Sequence, residues 1–304
     1  MTPLQIIEFL YGLGHFWSPA AIYAGSAVRA DLSKLTLADE VVKAAVSSYQ
    51  RWFQFELAEL RARPVDQGGR PSGAVTPYGE VDQSTIDLFA LPRCGVPDYR
   101  DPTVPTAQAN WPVACRMDIT TSYNMTLSGV SPEQISQLFQ EAHKNWQDAI
   151  EVGFRFQPQG YPNTRFFNNR RPLSGNILAW HQLAVSNCNA RLEGTYNSNT
   201  NWSPTLLVTT ITHEHGHGLG FDHIQNNQGT MYPSITQASQ ARRGKPHASD
   251  LVEARARGYV IRSGPPPPPP PGDADIILTR SLPAGRYRLV STQGDPDPIG
   301  ESNE

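Results

Sequence analysis

The stretch HEHGHGLGFDH, residues 213–223, sets His213, Glu214, His217, Gly220 and His223 in the order H-E-x-x-H-x-x-G-x-x-H. The preceding LLVTTIT (206–212) is apolar enough for a buried helix to run into it. One helical turn separates His213 from His217, so both rings project from the same face and can reach one ion. Glu214 then lies beside that ion, placed to take a proton from a bound water. Gly220 supplies the positive φ that ends a helix abruptly, and this lets the chain swing His223 back as a third ligand. Three protein ligands and one open position are the catalytic arrangement of zinc, whereas structural sites close the shell with four. Chance supplies these five fixed positions in roughly 2 of 100,000 chains of such composition, so an accident is a poor account of them.

The rest of the chain sets the context. It has 304 residues with 25 basic and 28 acidic side chains, for a net charge of −3, and a pI near 6.2. Partners held through phosphate, nucleic acid above all, are disfavoured by that charge. No run reaches the ~18 uncharged apolar residues of a membrane span. The N-terminal MTPLQIIEFLYGLGHFW has no basic residues ahead of its apolar stretch, so no secretory signal is recognisable there. Of the 27 prolines, seven form the unbroken run Pro265–Pro271, a stiff spacer of about 22 Å. The tail beyond it is too short for a core of its own and offers one hairpin, around Pro283–Gly285.

Helical spacing of Val41, Val42, Ala45, Val46, Tyr49, Trp52, Phe53 and Leu57 predicts one amphipathic helix over 35–60, with Thr36 as a cap. Glycine and proline break residues 61–80, and 84–90 make a further short helix. From residue 110 onward, strands are expected in VACRMDITTSY (113–123), VGFRFQ (152–157) and GNILAWHQLA (175–184), with a helix over 132–150. Mixed strands and helices imply an α/β or α+β domain, preceded by a small helical module. No fixed-period repeat is present. His215 points elsewhere on its helix than His213 and is read as a surface residue or as a neighbour of the ligands. His15, His143 and His247 lack any ligand spacing and are read as ordinary histidines.

The motif, together with Met231 in GTMYPSI (229–235), eight residues after His223, resembles the matrixins, the matrix metalloproteinase branch of the metzincin zinc peptidases. That resemblance implies the α+β fold class, a metzincin-type catalytic domain with a mixed twisted sheet and long helices, in which Met231 floors the metal site, and Tyr232, Pro233, Ser234 and Ile235 line a substrate pocket. PRCGVPD (92–98) resembles the matrixin cysteine switch, in which Cys94 occupies the open zinc position while Arg93 and Asp98 pair to hold the loop. GEVDQSTIDLFALPRC (79–94) is similar to the end of the peptidoglycan-binding-like prodomain of that family, through Gly79, Asp82, Thr85 and Phe89. Cys115 and Cys188 then remain, either as a disulfide or as two buried thiols.

The implied organisation is a propeptide over 1–98, an activation segment over 99–110, a catalytic domain over 111–263, the linker 264–272 and a tail over 273–304. The resemblance weakens between 155 and 202. Trp180, Thr195, Asn197 and Thr200 stand where the family carries histidines and acids for a second, structural zinc, so one catalytic Zn2+ is expected and Ca2+ is left open. His181 is read as a cleft-side or surface residue. Ile177, Leu178 and Ala179 are candidates for an edge strand that pairs with substrate backbone. The expected function is a zinc endopeptidase made as a latent zymogen, acting on protein or peptide substrates, with a monomer as the default state. By resemblance the setting is extracellular. The rival reading is a cell-wall or matrix-binding protein whose zinc site is vestigial.

Overall fold

The computed structural model describes residues 1–18, 32–62, 77–99, 111–157, 164–173 and 175–262, all within one compact unit, Met1–Pro266. The expected activation segment beyond Tyr99, the proline run and the tail hairpin lie outside the described residues.

Four helices make up the N-terminal part: α1 (Pro3–Gly12), α2 (Glu40–Trp52), α3 (Gln54–Ala62) and α4 (Gln83–Phe89). Helix α1, absent from the sequence-based expectations, starts on a capping box between Thr2 and Gln5 and buries Ile6, Ile7 and Leu10. The single helix expected over 35–60 is two. Thr36 does not cap it but donates its N–H to Asp39 at 2.6 Å, and α2 starts at Glu40. Phe53 then breaks the run, with its ring 4.6 Å from Tyr49 and 5.5 Å from Tyr232. Burying an aromatic ring stabilises by about 1.5–3 kcal/mol, enough to offset one lost helical turn.

The six-stranded sheet has the order β1-β5-β6-β4-β2-β3, with β1 Arg93–Cys94, β2 Ile119–Asn124, β3 Phe154–Phe156, β4 Phe166–Arg171, β5 Ile177–His181 and β6 Leu192–Asn197. Neighbouring pairs are parallel except β5 with β6. Strand β1, from the N-terminal part, thus extends a sheet built by the C-terminal part.

Helix α5 (Pro132–Ala149) opens on a capping box between Ser131 and Gln134 and buries Ile135, Leu138, Phe139, Ala142 and Trp146 at helical spacing. The Trp146 indole donates to the Thr212 carbonyl at 2.8 Å, fastening α5 to helix α6 (Pro204–Leu219). Two short helices follow, α7 (Gln237–Ala241) and α8 (Ala248–Ala256). Cys115 and Cys188 form a disulfide with Cα atoms 5.7 Å apart. The bond closes a separation of 73 residues, worth roughly 4 kcal/mol in the chain-entropy account. It staples the entry to β2 onto the β5–β6 loop, where the Ala184 N–H donates to the His217 carbonyl at 3.3 Å.

Candidate metal centre

Helix α6 is capped at both ends by residues whose chemistry fits the place. The Ser203 hydroxyl accepts from the Leu206 N–H, and Gly220 at φ 103° ends the helix in the left-handed region. The turn sends the Phe221 N–H to the Gly216 carbonyl at 2.9 Å and leaves the Phe221 carbonyl 2.7 Å from Nδ1 of His217. From the other side, the Thr230 carbonyl lies 2.6 Å from Nδ1 of His213. Nδ1 of His223 lies 2.8 Å from Asp98 Oδ1.

These acceptors settle the tautomers. With the Nδ1 protons of His213 and His217 given to carbonyls, their Nε2 lone pairs face inward. Nε2 of His217 is 3.1 Å from that of His213 and 3.2 Å from that of His223, and Cys94 Sγ is 3.5 Å from it. Lone pairs so close repel unless a cation lies between them. A tetrahedral zinc with ordinary bond lengths would separate two nitrogens by about 3.3 Å and nitrogen from sulfur by about 3.6 Å. All four ligand atoms lie within 4.8 Å of one another and all four residues are buried, so the set fits zinc with Cys94 as fourth ligand. Burial also pushes the histidines down, His213 to about 3, which keeps them neutral and able to ligate.

The floor is fixed from below. A Cβ on Gly216 would run into the Met231 sulfur, so glycine there lets Met231 sit directly under the helix. The Asp250 carboxylate accepts from the backbone N–H groups of Thr230 (2.8 Å), Met231 (2.9 Å) and His247 (2.6 Å). That buried carboxylate ties the start of α8 to the methionine turn, and its role was not foreseen from the sequence.

Glu214 is fully buried, and neither carboxylate oxygen has a partner. Burial pushes its pKa up to about 8; a dication beside it would favour the ionised form again. Cys94 is likewise raised, by burial and by Glu214, in the absence of a cation.

Arg93 and Asp98 are brought together as a bidentate pair, Nη2 to Oδ1 and Oδ2 at 2.9 and 3.0 Å, with Nε on the Cys94 carbonyl at 3.0 Å. Asp98 also lies 2.9 Å from Nε2 of His15, whose Nδ1 meets the Ser48 hydroxyl at 3.0 Å. Burial alone would raise Asp98; Arg93, His15 and His223 outweigh it and hold the carboxyl well below its usual range. His15, read from the sequence as an ordinary histidine, therefore joins the helical module to the loop that carries Cys94. No sequence signal marks this, because the partners stand 83 positions apart.

Of the residues expected to meet substrate, Ala179 presents its carbonyl to β1, whereas the Ile177 carbonyl accepts from Asn197 Nδ2 at 2.7 Å. The Gly95 N–H donates to the Ala179 carbonyl at 2.7 Å and the Arg93 N–H to that of Asn176 at 3.1 Å. Leu178 is buried in the core, leaving only its backbone for a peptide. On the opposite flank the Cys94 N–H donates to the Pro233 carbonyl at 2.8 Å, Ser234 Oγ to the Pro92 carbonyl at 2.8 Å, and Arg93 bridges Ser234 in the antiparallel sense. The Tyr232 hydroxyl donates to Glu56 of α3 at 2.6 Å and reaches the Trp52 carbonyl at 3.2 Å. Ile235 packs against the core cluster that contains Leu207 and Ile211.

Two histidines differ from expectation. His215 is no surface residue: it is fully buried among Phe139, Phe154, Phe166, His143 and His181. His181 is 2% exposed and turns inward, its Nδ1 held on the Gln182 carbonyl at 2.7 Å. Both lie on the side of the sheet that faces α6, where strand alternation puts His181 and the residues in step with it.

Three buried histidines with a carboxylate beside them, on a helix packed over a mixed sheet, form a donor set that fits a zinc ion. Residues 115–255, a little under half of the chain, match the family model described as Matrixin. Similar proteins include the hatching enzyme of Paracentrotus lividus, 26% identical over 176 residues, which cover 53% of this chain and 28% of that protein. The macrophage metalloelastase of Oryctolagus cuniculus is 26% identical over 175 residues (51% of this chain, 35% of the relative). That of Rattus norvegicus is 24% identical over 166 residues, again 51% and 35%. The chain thus spans about a third of the length of these relatives.

Proposed function

We propose that this chain is a latent zinc endopeptidase in which residues 1–98 act as a propeptide and Cys94 closes the metal site. The observation that carries this reading is β1, which fills the groove between β5 and residues 233–234 and brings the Cys94 sulfur to within 3.5 Å of His217 Nε2. Zinc would supply Lewis-acid chemistry, lowering the pKa of water and polarising a carbonyl. His213, His217 and His223 hold it; Glu214 takes the proton of the attacking water and passes it to the leaving amine nitrogen. After the propeptide leaves, the backbone edge of Ile177–Ala179 is free to pair with an extended peptide, with Tyr232, Pro233, Ser234 and Ile235 on the opposite wall. The Cys115–Cys188 disulfide supports an oxidising, extracellular setting, and among the described residues no helix is long and apolar enough to cross a membrane. An intact Glu214 and converging ligands count against a vestigial site.

Full-length protein and its Cys94→Ser variant, both verified intact by mass, test the reading on a generic peptide. The variant should cleave at least tenfold faster, since a hydroxyl is a far poorer zinc ligand than a thiolate, and chelator should abolish that cleavage. Equal rates would return Cys94 to the ordinary thiols.

A further inference from the structure

We propose that the Tyr196 hydroxyl is a positioning group for Glu214 that the propeptide holds in reserve: it donates a hydrogen bond to the Glu214 carboxylate once the Cys94 side chain is gone. This rests on the reading of Cys94 as the closing ligand and Glu214 as the base.

Strand register supplies the geometry. After a register shift between Arg93 and Cys94, Cys94 pairs with Ala179 across β1–β5, its sulfur turned toward His217 of α6, and Ala179 pairs with Tyr196 across β5–β6. Paired residues share a face, so Cys94, Ala179 and Tyr196 form one row across three strands. That row faces α6: Tyr196 packs in the cluster with Leu207, Val208 and Ile211, and its ring lies 6.2 Å from Phe139. The middle member of the row carries only a methyl group.

Unmet hydrogen bonding points the same way. Tyr196 is fully buried and its hydroxyl has no partner; the same holds for both oxygens of Glu214. Stranding a buried polar group is costly, and stranding a donor near an acceptor calls for something that keeps them apart. Cys94 is placed to do so, since it lies in the same row as Tyr196 and its sulfur belongs to the ligand cluster beside Glu214. Burial, then the charges of Glu214 and Cys94, push the phenol well up, so it stays protonated and remains a donor. With the sulfur removed, the hydroxyl and the carboxylate can close on one another. One carboxylate oxygen is then held, and the other is turned toward the water it must deprotonate.

The test is a cycle of Tyr196→Phe against Cys94→Ala in the zinc-loaded full-length chain. In the wild-type background, removing a stranded hydroxyl should raise the thermal midpoint by about 2–4 °C. In the Cys94→Ala background the same substitution removes a made hydrogen bond, so the midpoint should fall by a similar amount. There kcat for a generic peptide should also drop about tenfold with KM and zinc content unchanged. Midpoint shifts of the same sign in both backgrounds, or an unchanged kcat, overturn the proposal. The midpoints need no turnover, so a protein that cleaves nothing would end the peptidase reading and leave the Tyr196 contact standing on its own measurement.

Discussion

His213, His217 and His223 form one buried trio, and His143, His181 and His215 form another on the same side of the sheet; each draws on helix α6. In the first, outside oxygen atoms sit at each Nδ1 and the Nε2 atoms crowd to within 3.1–3.2 Å of His217. In the second, His143 and His215 stack with their planes 14° apart and centroids separated by 5.1 Å, and His181 stands edge-on to His215. Flat faces meet there instead of lone pairs. Neither nitrogen of His215 has a partner. Burial and residue type are alike in the two trios, so the metal centre is made by what holds the far side of each ring.

The largest way to break this comparison is His217→Ala, which should abolish both zinc binding and peptide cleavage, while His181→Ala should keep one zinc per chain. Atomic emission alongside turnover reads both; two tightly held zincs in the parent protein, or zinc lost with His181, would erase the distinction. Glu214→Gln should come next, retaining zinc yet lowering turnover by about 10²–10⁴, since an amide cannot take the water's proton. Near-normal turnover would remove Glu214 from the mechanism.

Acid should act on the second trio as on the first, where burial likewise lowers His213 to about 3. Burial lowers His143 to about 3 and His181 to about 4, from 6.5. Both are neutral in the fold, whereas the unfolded chain takes up their protons below pH 6.5. Stability should therefore fall as pH drops from 6.5 toward 4, by about 1.4 kcal/mol per pH unit for each group. His143→Phe should flatten that slope by one group in denaturant titrations of the full-length protein; an unaltered slope would mean His143 is charged in the fold. The smallest effect is expected from His215→Phe, which removes two partnerless nitrogens from an aromatic cage and should stabilise by about 1–2 kcal/mol. Destabilisation would show that His215 is satisfied after all.

Much of the centre was legible because its residues are local. His213, Glu214 and His217 share one helix and Gly220 ends it shortly before His223, so spacing alone predicts that the ligands converge, whereas Met231 enters through the family resemblance. Cys94 entered through PRCGVPD, a match to a family pattern and not a deduction from chemistry. Strands β4 and β6 were missed: FFNNRR and LEGTYN carry asparagine, arginine and glutamate where a strand signal wants an apolar alternation. They are held by neighbours on both sides, and propensity gives way to that packing. The contacts of His15 and Asp250 depend on chain segments that meet only in three dimensions. His215 is read as a surface residue or a neighbour of the ligands because its offset from His213 turns it to another side of the helix, and that side is buried as deeply as the ligands.

Strand β1 is hydrogen-bonded on two flanks, to β5 and to residues 233–234, while remaining part of the same chain. Its docking is therefore unimolecular, with an effective concentration on the order of millimolar for a short tether. If the backbone is cut between Tyr99 and Trp111, every contact is initially unchanged, yet the docked segment becomes a separate molecule that must compete at its own bulk concentration. A protein at nanomolar levels would then lose about a millionfold in local concentration. One hydrolysed bond would thus release the segment by dilution, without weakening any single hydrogen bond it makes.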